Sequence, residues 1–558
     1  MIHNLIETTP SPRSSARPTG LIPAIVAAGV MVLGQGTARA EPRHEQYAKA
    51  AAKGPHMKVT AGTFFGTVDG EDLVGGGTLP DGSILAAGNL TGPGIPAAAH
   101  VVVVGTGKRR DLDPYLYKEK ADKRRAAGEF NPDNPDLAGF FVVFDAQLSK
   151  ARQLVRFDWG VASISAVRMA ADGKAVILAG RATPEFRKLG QVNVVPCGDA
   201  KWTYGDSELP ADVFIARLGF DGKIQWAHVL AGAGSPPRKL FTDDSGHLYL
   251  PAGGLHLVSP NGREIKRVSD RVDGGEAHWL AAHPTAGRVY FGGDRNTRTN
   301  KEPWRQPFLI EHDLNGTVLN RYWEANPKEV GSDAGSLESD SSVRGVAFRP
   351  DGKAVVVGWS DGGNSIFGRQ VEDWRKEGVA DAGLGMSPWG MKSANSLGHV
   401  MLVDLPKRQT LMHAWFTAYL PMNFVDVRAR NAPNHASFNE LELLPGGEIA
   451  TAGGAASGLV QTPGAFYKDP LDGAKYGGNF ITVFDPMVSR MLFSSYLPGG
   501  GPPTLVAHPR GVLVFSRSLA NDGKPAPSSM PVTSSAVQNK CAGAGDGHVM
   551  LMELPSGN

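Results

Sequence analysis

A short pattern recurs seven times along the chain, and no other feature of the sequence restricts the fold as strongly. In "VRGVAFRPDGKAVVVGWS" (Val343 to Ser360), one apolar run ends at Asp-Gly, and a second apolar run follows and ends in Gly. Glycine adopts the positive φ that a tight hairpin turn requires, and the runs are too short for helices. Each copy therefore predicts a β-hairpin. The other six copies begin at Val74, Ile164, Arg238, Ala277, Asn439 and Thr504.

A third apolar run follows each hairpin, and two of these runs share the pentapeptide GHVML. Six of the seven are followed by a fourth run, but the last lies a few residues before the end of the chain. The missing fourth run is found at the other end of the repeats, as "KVTAGTFFGT" (Lys58 to Thr67). The third runs begin at Gly139, Asp212, Leu255, Pro307, Gly398, Gly478 and Gly547.

Seven groups of four strands predict an all-β chain folded as a seven-bladed β-propeller of antiparallel blades. A propeller ring must be closed where its first and last blades meet. We expect residues 58–67 to pair with the strand at Gly547–Leu554, so that both ends of the chain build the last blade. Such pairing also covers one exposed sheet edge.

The repeat resembles the bacterial SBBP-type seven-bladed β-propeller repeat. The segment "QTPGAFYKDPLDGAKYGGNFITVFDP" (Gln461 to Pro486) is similar to that family's T-P-G-A-F loop and the D-A-F-V strand that follows it. A second, weaker copy is "PVTSSAVQNKCAGAGDGHVMLMEL" (Pro531 to Leu554). The resemblance covers nearly all of residues 58–558. It implies the propeller fold and no catalytic residues, because the family is defined by its repeat.

The first forty residues have the pattern of a secretory signal peptide. Arg13 and Arg17 precede the apolar run "LIPAIVAAGVMVL", and Ala38-x-Ala40 forms a small-residue cleavage site. We expect a leader at 1–40, a linker at 41–57, a propeller at 58–558, and a secreted or periplasmic mature chain without a membrane span. An uncleaved membrane-tethering helix is the alternative.

Most of the sequence that the repeat does not explain lies between the second and third strands. The insertions cover residues 89–138, 181–210, 295–306, 361–397, 455–477 and 519–546. In a propeller these connections leave the blades on one face, and loops on a rigid scaffold commonly carry function. This face is the predicted binding surface, with neutral loop drift as the alternative.

Aromatic residues in these insertions are the candidate binding residues. Exposed, they suit stacking on sugars or capture of a peptide; buried, they form small cores that hold the loops. The set is Tyr115, Tyr117, Trp202, Trp304, Trp374 and Trp389. By contrast, Trp159, Trp226, Trp323 and Trp415 lie in fourth strands, where packing between blades is expected.

Charge does not favour a nucleic-acid partner. The leader holds three of the 57 basic and one of the 55 acidic residues, so the mature chain has 54 of each. The first insertion contains the basic segment "KRRDLDPYLYKEKADKRR" (Lys108 to Arg125), in which acidic residues are interleaved. This segment predicts either a solvated helix face or a contact with an acidic polymer or cell-surface component.

The two cysteines, Cys197 and Cys541, lie in insertions of the same class, and a disulfide between them is expected in an exported protein. The sequence predicts no cofactor. Calcium is a minor alternative at two acidic clusters in links between blades. These are Asp270, Asp273, Glu276 and His278, and Asp333, Glu338 and Asp340.

Two classes of function fit these observations. The first is a binding or scaffold module for a polysaccharide, a peptide or an envelope protein. The second is a propeller enzyme with its site at the channel mouth, either a glycan hydrolase or lyase or a quinone-type oxidoreductase. We find no catalytic motif for the second class. It predicts converging carboxylates with raised pKa values near the channel.

Overall fold

The chain folds as a seven-bladed β-propeller, as the repeats predict, and β-strands account for nearly all of its regular structure. The computed structural model describes residues 48–66, 71–90, 96–104, 138–157, 161–182, 186–189, 191–204, 207–243, 245–269, 275–283, 287–296, 305–323, 340–361, 367, 396–418, 436–456, 458–467, 478–497, 503–517, 530–542 and 545–555.

In each blade the four strands of the repeat pair antiparallel, and the first of them lines the central channel. From the channel outward, blade 1 consists of β2 (Glu71–Thr78), β3 (Ile84–Leu90), β5 (Ala138–Phe144), β6 (Ala151–Phe157) and β4 (Val101–Val104). Blade 2 consists of β7 (Val161–Met169), β8 (Ala175–Ala182), β12 (Val213–Gly219), β13 (Ile224–Ala231) and β9 (Val192–Pro196). Blade 3 consists of β14 (Phe241–Thr242), β15 (Leu248–Pro251), β16 (Leu255–Val258) and β17 (Ile265–Ser269), and blade 4 consists of β18 (Gly275–His283), β19 (Arg288–Asn296), β20 (Arg305–Asp313) and β21 (Val318–Tyr322).

Blades 5 to 7 have four strands each. Blade 5 consists of β22 (Ser341–Phe348), β23 (Ala354–Ser360), β24 (Leu397–Asp404) and β25 (Gln409–Phe416). Blade 6 consists of β26 (Ala436–Leu443), β27 (Ile449–Ala455), β28 (Gly478–Phe484) and β29 (Met491–Leu497). Blade 7 consists of β30 (Thr504–His508), β31 (Gly511–Arg517), β32 (Gly547–Glu553) and β1 (Lys58–Phe65). Outside the blades lie a hairpin, β10 (Lys201–Tyr204) and β11 (Ser207–Pro210), and the short 3-10 helix η1 (Phe186–Lys188).

The last blade is built from both ends of the chain, which confirms the predicted closure. The N-terminal strand β1 pairs antiparallel with β32, with Lys58 opposite Glu553 and Phe65 opposite Gly547. The innermost strand of blade 1, β2, also contacts β30 and β31 of blade 7. The ring is therefore closed by sheet hydrogen bonds between segments almost 500 residues apart.

Residues 48–57, predicted as part of a linker, are packed against the ring. Residues 48–51 form one helical turn, and Ala51 is buried in an apolar cluster that includes residues of blades 4, 5 and 6. The backbone N–H of Met57 donates to the carbonyl of Leu492 on β29 (3.0 Å). The segment thus fastens the outer strand of blade 6 before the chain enters blade 7. Residues 1–47 lie outside the described residues.

The Asp-Gly turns form the hairpins for the expected physical reason. In the first repeat, Gly82 has φ +81°, a conformation that strains any side chain. The carboxylate of Asp81 accepts a hydrogen bond from the N–H of Ser83 (2.9 Å). These turns define the lower face of the disk, and the insertions leave the blades on the opposite, upper face.

Two insertions add a fifth strand, which the four-strand repeat does not predict. In blade 1, β4 pairs parallel with β6, and in blade 2, β9 pairs parallel with β13. Both strands follow the outer edge of their blade. They take up the backbone N–H and C=O groups of the outer strand, which an open edge would leave free to pair with another chain.

In blades 6 and 7, the described parts of the insertions also follow the outer strand, but as a turn. Thr462 and Thr533 each accept, through the backbone carbonyl, a hydrogen bond from the N–H of the alanine three residues later (3.2 and 3.1 Å). Their own N–H groups donate to the carbonyls of Ser494 and Gly62 on the outer strands. The T-x-x-A part of the loop is therefore a repeated edge-covering element.

The apolar cores lie between neighbouring blades. Trp323 and Trp415 are buried, as expected of fourth-strand tryptophans. A Cβ on Gly262 of blade 3 would overlap the indole ring of Trp226, so Gly262 lets blade 2 approach closely. Trp159 lies outside the described residues.

Candidate functional site

The axial channel contains a cluster of charged side chains, which we call the axial cluster: Arg168, Lys239, Glu440 and Glu442. Lys239 lies just before β14 of blade 3, and both glutamates lie on β26 of blade 6. The ammonium group of Lys239 donates to Glu440 Oε1 (3.0 Å) and Glu442 Oε2 (2.7 Å). It also reaches the backbone carbonyl of Leu505 on β30 of blade 7 (3.5 Å). Blades 6 and 7 are those opposite blade 3, so Lys239 crosses the channel axis.

Burial shapes the electrostatics of the axial cluster. The side chain of Lys239 is 14% exposed, and burial would lower its pKa, but Glu440 and Glu442 together raise it above its ordinary value. Burial raises the pKa of the Glu440 carboxyl, and Lys239 opposes that shift. Lys239 is therefore held in its charged form between two carboxylates, of which Glu440 has the raised affinity for a proton.

Arg168, on β7 of blade 2, completes the cluster. Its Nε donates to the hydroxyl of Thr242 (2.9 Å) and its Nη1 to the carbonyl of Leu240 (3.2 Å). Burial lowers the pKa of Arg168, and the charge of Glu442 opposes that effect. Two positive and two negative charges balance, and they span the channel in the half nearer the lower face.

A second group of carboxyl residues lies near the upper face, where blades 7, 1 and 2 meet. Burial raises the pKa of Asp72, although hydrogen bonds from Asn89 and the charge of Arg517 oppose the shift. Asn89 also exchanges hydrogen bonds with the backbone of Ile164 on the inner strand of blade 2 (2.7 and 2.9 Å). The Asp72–Asn89 pair thus links blades 1 and 2.

Two fully buried carboxyl side chains, those of Glu71 and Asp546, lie beside Gly66 at the end of β1. A Cβ at Gly66 would overlap the Glu71 carboxylate and would lie 2.7 Å from Cγ of Asp546. Asp546 accepts hydrogen bonds from the side chain of Gln538 and from the N–H of Ala542. This group therefore fastens the closing strand to the insertion of blade 7.

Of the candidate binding residues, the structure describes Trp202 alone, and only its backbone. Trp202 lies on β10, opposite Leu209 on β11. The base of this hairpin is bonded to the link between blades 2 and 3: Ala200 N–H donates to Gly232 O (3.2 Å), and Gly234 N–H donates to Ala211 O (2.9 Å). The hairpin therefore stands on the upper face. Tyr115, Tyr117, Trp304, Trp374 and Trp389 lie outside the described residues.

The expected disulfide is not formed: in the structure no bond joins Cys197 to Cys541. Because β9 lies along the outer edge of blade 2, it places Cys197 against blade 3, on the side away from blade 7. There its Sγ lies 3.4 Å from Nε2 of His256. Burial raises the pKa of the Cys197 thiol.

The acidic clusters considered for calcium lie largely in residues that the structure does not describe. Asp340 is described, and its Oδ1 accepts a hydrogen bond from the N–H of Arg305 (2.7 Å). The backbones of Glu276 and His278 lie on β18, while Asp270, Asp273, Asp333 and Glu338 are outside the described residues. Within the described part of the chain, no group of three metal-ligating side chains occurs.

Sequence reasoning missed the axial cluster, although a signal for it was present. Glu440 and Glu442 lie two residues apart on the inner strand of blade 6. The equivalent positions of the inner strand are glycines in blade 1 and Gly345 and Ala347 in blade 5. Charged residues in a strand that lines a channel are costly to bury unless they are paired. Aligning the seven inner strands would therefore have singled them out, but not their partner Lys239.

Comparison with known proteins identifies no family for this chain. No protein-family model and no curated protein sequence matches the chain. Among solved structures, the periplasmic gluconolactonase of Pseudomonas aeruginosa is 10% identical over 76% of this chain and 85% of its own, with a TM-score of 0.35. An ulvan lyase of polysaccharide lyase family 25, bound to -[GlcA(1-4)Rha3S]-, is 7% identical over 82% and 93%, with a TM-score of 0.37. The hydrazine synthase of Kuenenia stuttgartiensis is 10% identical over 64% and 77%, with a TM-score of 0.34. Nothing about the activity of this chain follows from likeness at this level.

Proposed function

We propose that this chain is an exported binding or scaffold propeller that takes a polysaccharide, a peptide or an envelope protein on its upper face. The observation that carries the proposal is the β10–β11 hairpin, which holds Trp202 on that face. Lys239 supports it, because a side chain that crosses the axis obstructs passage through the channel toward the lower face. A ligand at the channel therefore approaches from the side that carries the insertions.

The covered edges of the disk support the same face. In blades 1, 2, 6 and 7, the chain lays its own strands or turns along the outer edge. These segments occupy the hydrogen-bonding groups of the outer sheet edges, so those edges are not open to pair with a ligand strand. The proposal also places the mature chain outside the cytoplasm, on the basis of the N-terminal pattern. Among the described residues, no helix is both long and apolar enough to cross a lipid bilayer.

The test compares two neighbouring substitutions on the hairpin. Mature protein is screened on a glycan array, with an array of extended peptides in parallel, and each hit is remeasured with Trp202→Ala and Lys201→Ala. We expect Trp202→Ala to weaken binding by about 1–3 kcal/mol, the usual range of an aromatic hot spot, and to leave the melting temperature unchanged. Lys201→Ala is the matched control. Equal affinity of the wild type and Trp202→Ala for every hit would contradict the proposed site.

A second candidate function has one observation in its favour. The carboxyl groups of Asp72 and Glu440 have raised pKa values, as expected of a general acid in a glycan hydrolase or lyase at the channel. Release of reducing ends or of unsaturated uronic acids from a panel of polysaccharides would show such activity. Loss of that activity in Asp72→Asn or Glu440→Gln, with retained fold, would identify the acid.

A further inference from the structure

The contact between the thiol of Cys197 and the imidazole of His256 lies where blade 2 meets blade 3. Strand β9 runs along the outer edge of blade 2, and Cys197 follows directly after it. The N–H groups of Cys197 and Gly198 both donate to the carbonyl of Ala231 (3.0 and 3.2 Å), so the outer strand of blade 2 holds the backbone that carries the thiol. In this position the Sγ atom of Cys197 lies 3.4 Å from Nε2 of His256.

His256 is the second residue of β16 and is 1% exposed. The equivalent position of blade 7 also holds a buried histidine, His548, whose Nε2 bonds to the backbone carbonyl of Pro531 (3.0 Å). In blade 3, Nε2 faces a thiol instead, and a thiol is a weak hydrogen-bond partner. A buried imidazole nitrogen in that environment is poorly satisfied by hydrogen bonding alone.

Burial sets the protonation of both groups. Burial, together with the charge of Arg267, lowers the pKa of His256 to about 4, so the imidazole is neutral at neutral pH. Burial raises the pKa of the Cys197 thiol. The pair is therefore a neutral imidazole beside a protonated thiol. Neutral imidazole is the form that binds metal ions, and an ion that binds to the sulfur must displace the thiol proton.

We propose that Cys197 and His256 form a binding site for a soft monovalent metal ion, Cu(I), for which Ag(I) is a chemical analogue. Thiolate and imidazole donors suit such an ion. Bonds of about 2.3 Å to sulfur and about 2.0 Å to nitrogen, the lengths found for zinc, allow one ion to contact two atoms that lie 3.4 Å apart. Cys197 is partly exposed, which gives the ion access to the sulfur from solvent.

Binding of a monovalent ion leaves the net charge of the pair unchanged. The S–H bond breaks, the sulfur keeps the electron pair and binds the ion, and the proton leaves to solvent. This suits the surroundings, because Cys197 belongs to an apolar cluster with Val195, Trp226 and Ile265. A divalent ion would add one net positive charge beside these side chains, where the positive charge of Arg267 already acts on both groups.

The number of donors also favours a monovalent ion. Structural zinc sites have four protein ligands, and catalytic zinc sites have three. In the part of the chain that the structure describes, no third histidine, cysteine or carboxylate joins Cys197 and His256. Two donors of this kind are sufficient for Cu(I) and Ag(I), because these soft ions form stable two-coordinate complexes.

The test is competition for Cu(I) between the reduced, full mature protein and the chromophoric chelator bicinchoninate, in the absence of oxygen. We expect one tightly bound ion per chain, with release of one proton. Cys197→Ser should lose this ion, whereas Cys541→Ser, which removes the other thiol, should keep it. Retention of the ion in Cys197→Ser, or its absence from the wild type, would overturn the proposal.

The role of His256 is tested by a matched pair of variants. Asn479 occupies the equivalent position of blade 6, so this fold accepts asparagine there. His256→Asn should weaken Cu(I) binding by at least about tenfold, since the loss of even an outer partner of a metal ligand usually costs that much. His548→Asn removes the equivalent histidine of blade 7 and should leave the affinity unchanged. Equal affinities of the two variants would overturn the assigned pair.

X-ray absorption of the wild-type complex gives a result that does not depend on the folding of a variant. We expect one sulfur and one imidazole nitrogen bound to the copper ion, and a coordination shell of sulfur alone would overturn the proposal. Zinc supplies the last comparison. Retention of Cu(I) in the presence of equimolar Zn(II) would support a site for a monovalent ion, and its displacement would overturn that assignment.

Discussion

Replacement of Lys239 by methionine tests whether the axial cluster holds opposite sides of the ring together. The ammonium group bonds to two glutamates of blade 6 and to the backbone of blades 6 and 7. Methionine preserves most of the side-chain volume but removes the ammonium group that balances one of the two glutamate charges, while Arg168 faces Glu442. Breaking a buried ion pair on one side typically costs about 3–5 kcal/mol, because the remaining charge is uncompensated. We expect the free energy of unfolding at pH 7 to fall by that amount.

The origin of the loss is tested by removing one opposite charge as well. In Lys239→Met/Glu440→Gln, the glutamine carbonyl keeps the acceptor for the N–H group of Leu505, and Glu442 still faces the charge of Arg168. If uncompensated charge is the cause, the double variant recovers most of the lost stability, and the mutant cycle gives a coupling energy well above 1 kcal/mol. Simple loss of packing would not be recovered.

The assay is urea unfolding followed by circular dichroism, with Lys223→Met as the control. Lys223 is 86% exposed and, within the described part of the chain, pairs with Asp221 in its own turn, so its loss should change stability by less than about 0.5 kcal/mol. A Lys239→Met protein as stable as this control would refute the assigned role of the axial cluster.

Three further predictions concern closure, acid and the cysteines. A chain that ends at Asp546 lacks β32, so β1 has no partner and soluble folded protein should be lost; a truncated chain that melts like the full one would contradict the closure. Burial lowers the pKa of His548 to about 4, so the folded chain binds fewer protons than the unfolded chain and stability falls as the pH drops below about 6.5. His548→Asn should remove about 2 kcal/mol of the loss between pH 7 and pH 5, seen as a smaller fall in melting temperature, and an unchanged fall would oppose this assignment. Both Cys197 and Cys541 should react with iodoacetamide in denaturant without reductant, and labelling of neither would show that the disulfide forms after all.

Much of the fold was predictable because its signals are local. Gly82 sits in a turn that needs positive φ, and the flanking runs have the period of strands, so a hairpin follows from a dozen residues. The closure was predictable because a fourth strand is missing at one end and present at the other. The added edge strands were not. "VVVV" at residues 101–104 has strand propensity, but only the folded blade offers it the edge of β6.

The candidate site was less accessible to sequence reasoning. Trp202 lies on the β10–β11 hairpin, which stands on the upper face because the insertions between second and third strands emerge there, and its role in binding stays a prediction. The contact between His399 and His413 was missed because the two histidines belong to different strands and meet only through the register of those strands. Cys197 was expected to face Cys541 of blade 7, but it lies against blade 3. The direction of β9 along blade 2 decides which blade Cys197 faces, and the sequence does not show that direction.

The sequence by itself therefore determines the number of blades, their hairpins and the offset that closes the ring, because these depend on neighbours within one repeat. The tertiary structure alone decides which side chains meet across repeats. Lys239 and Glu440 are 201 residues apart, and they touch only because seven blades bend the chain into a ring that brings blade 3 opposite blades 6 and 7. That curvature is a property of how the blade faces pack, and no single repeat contains it.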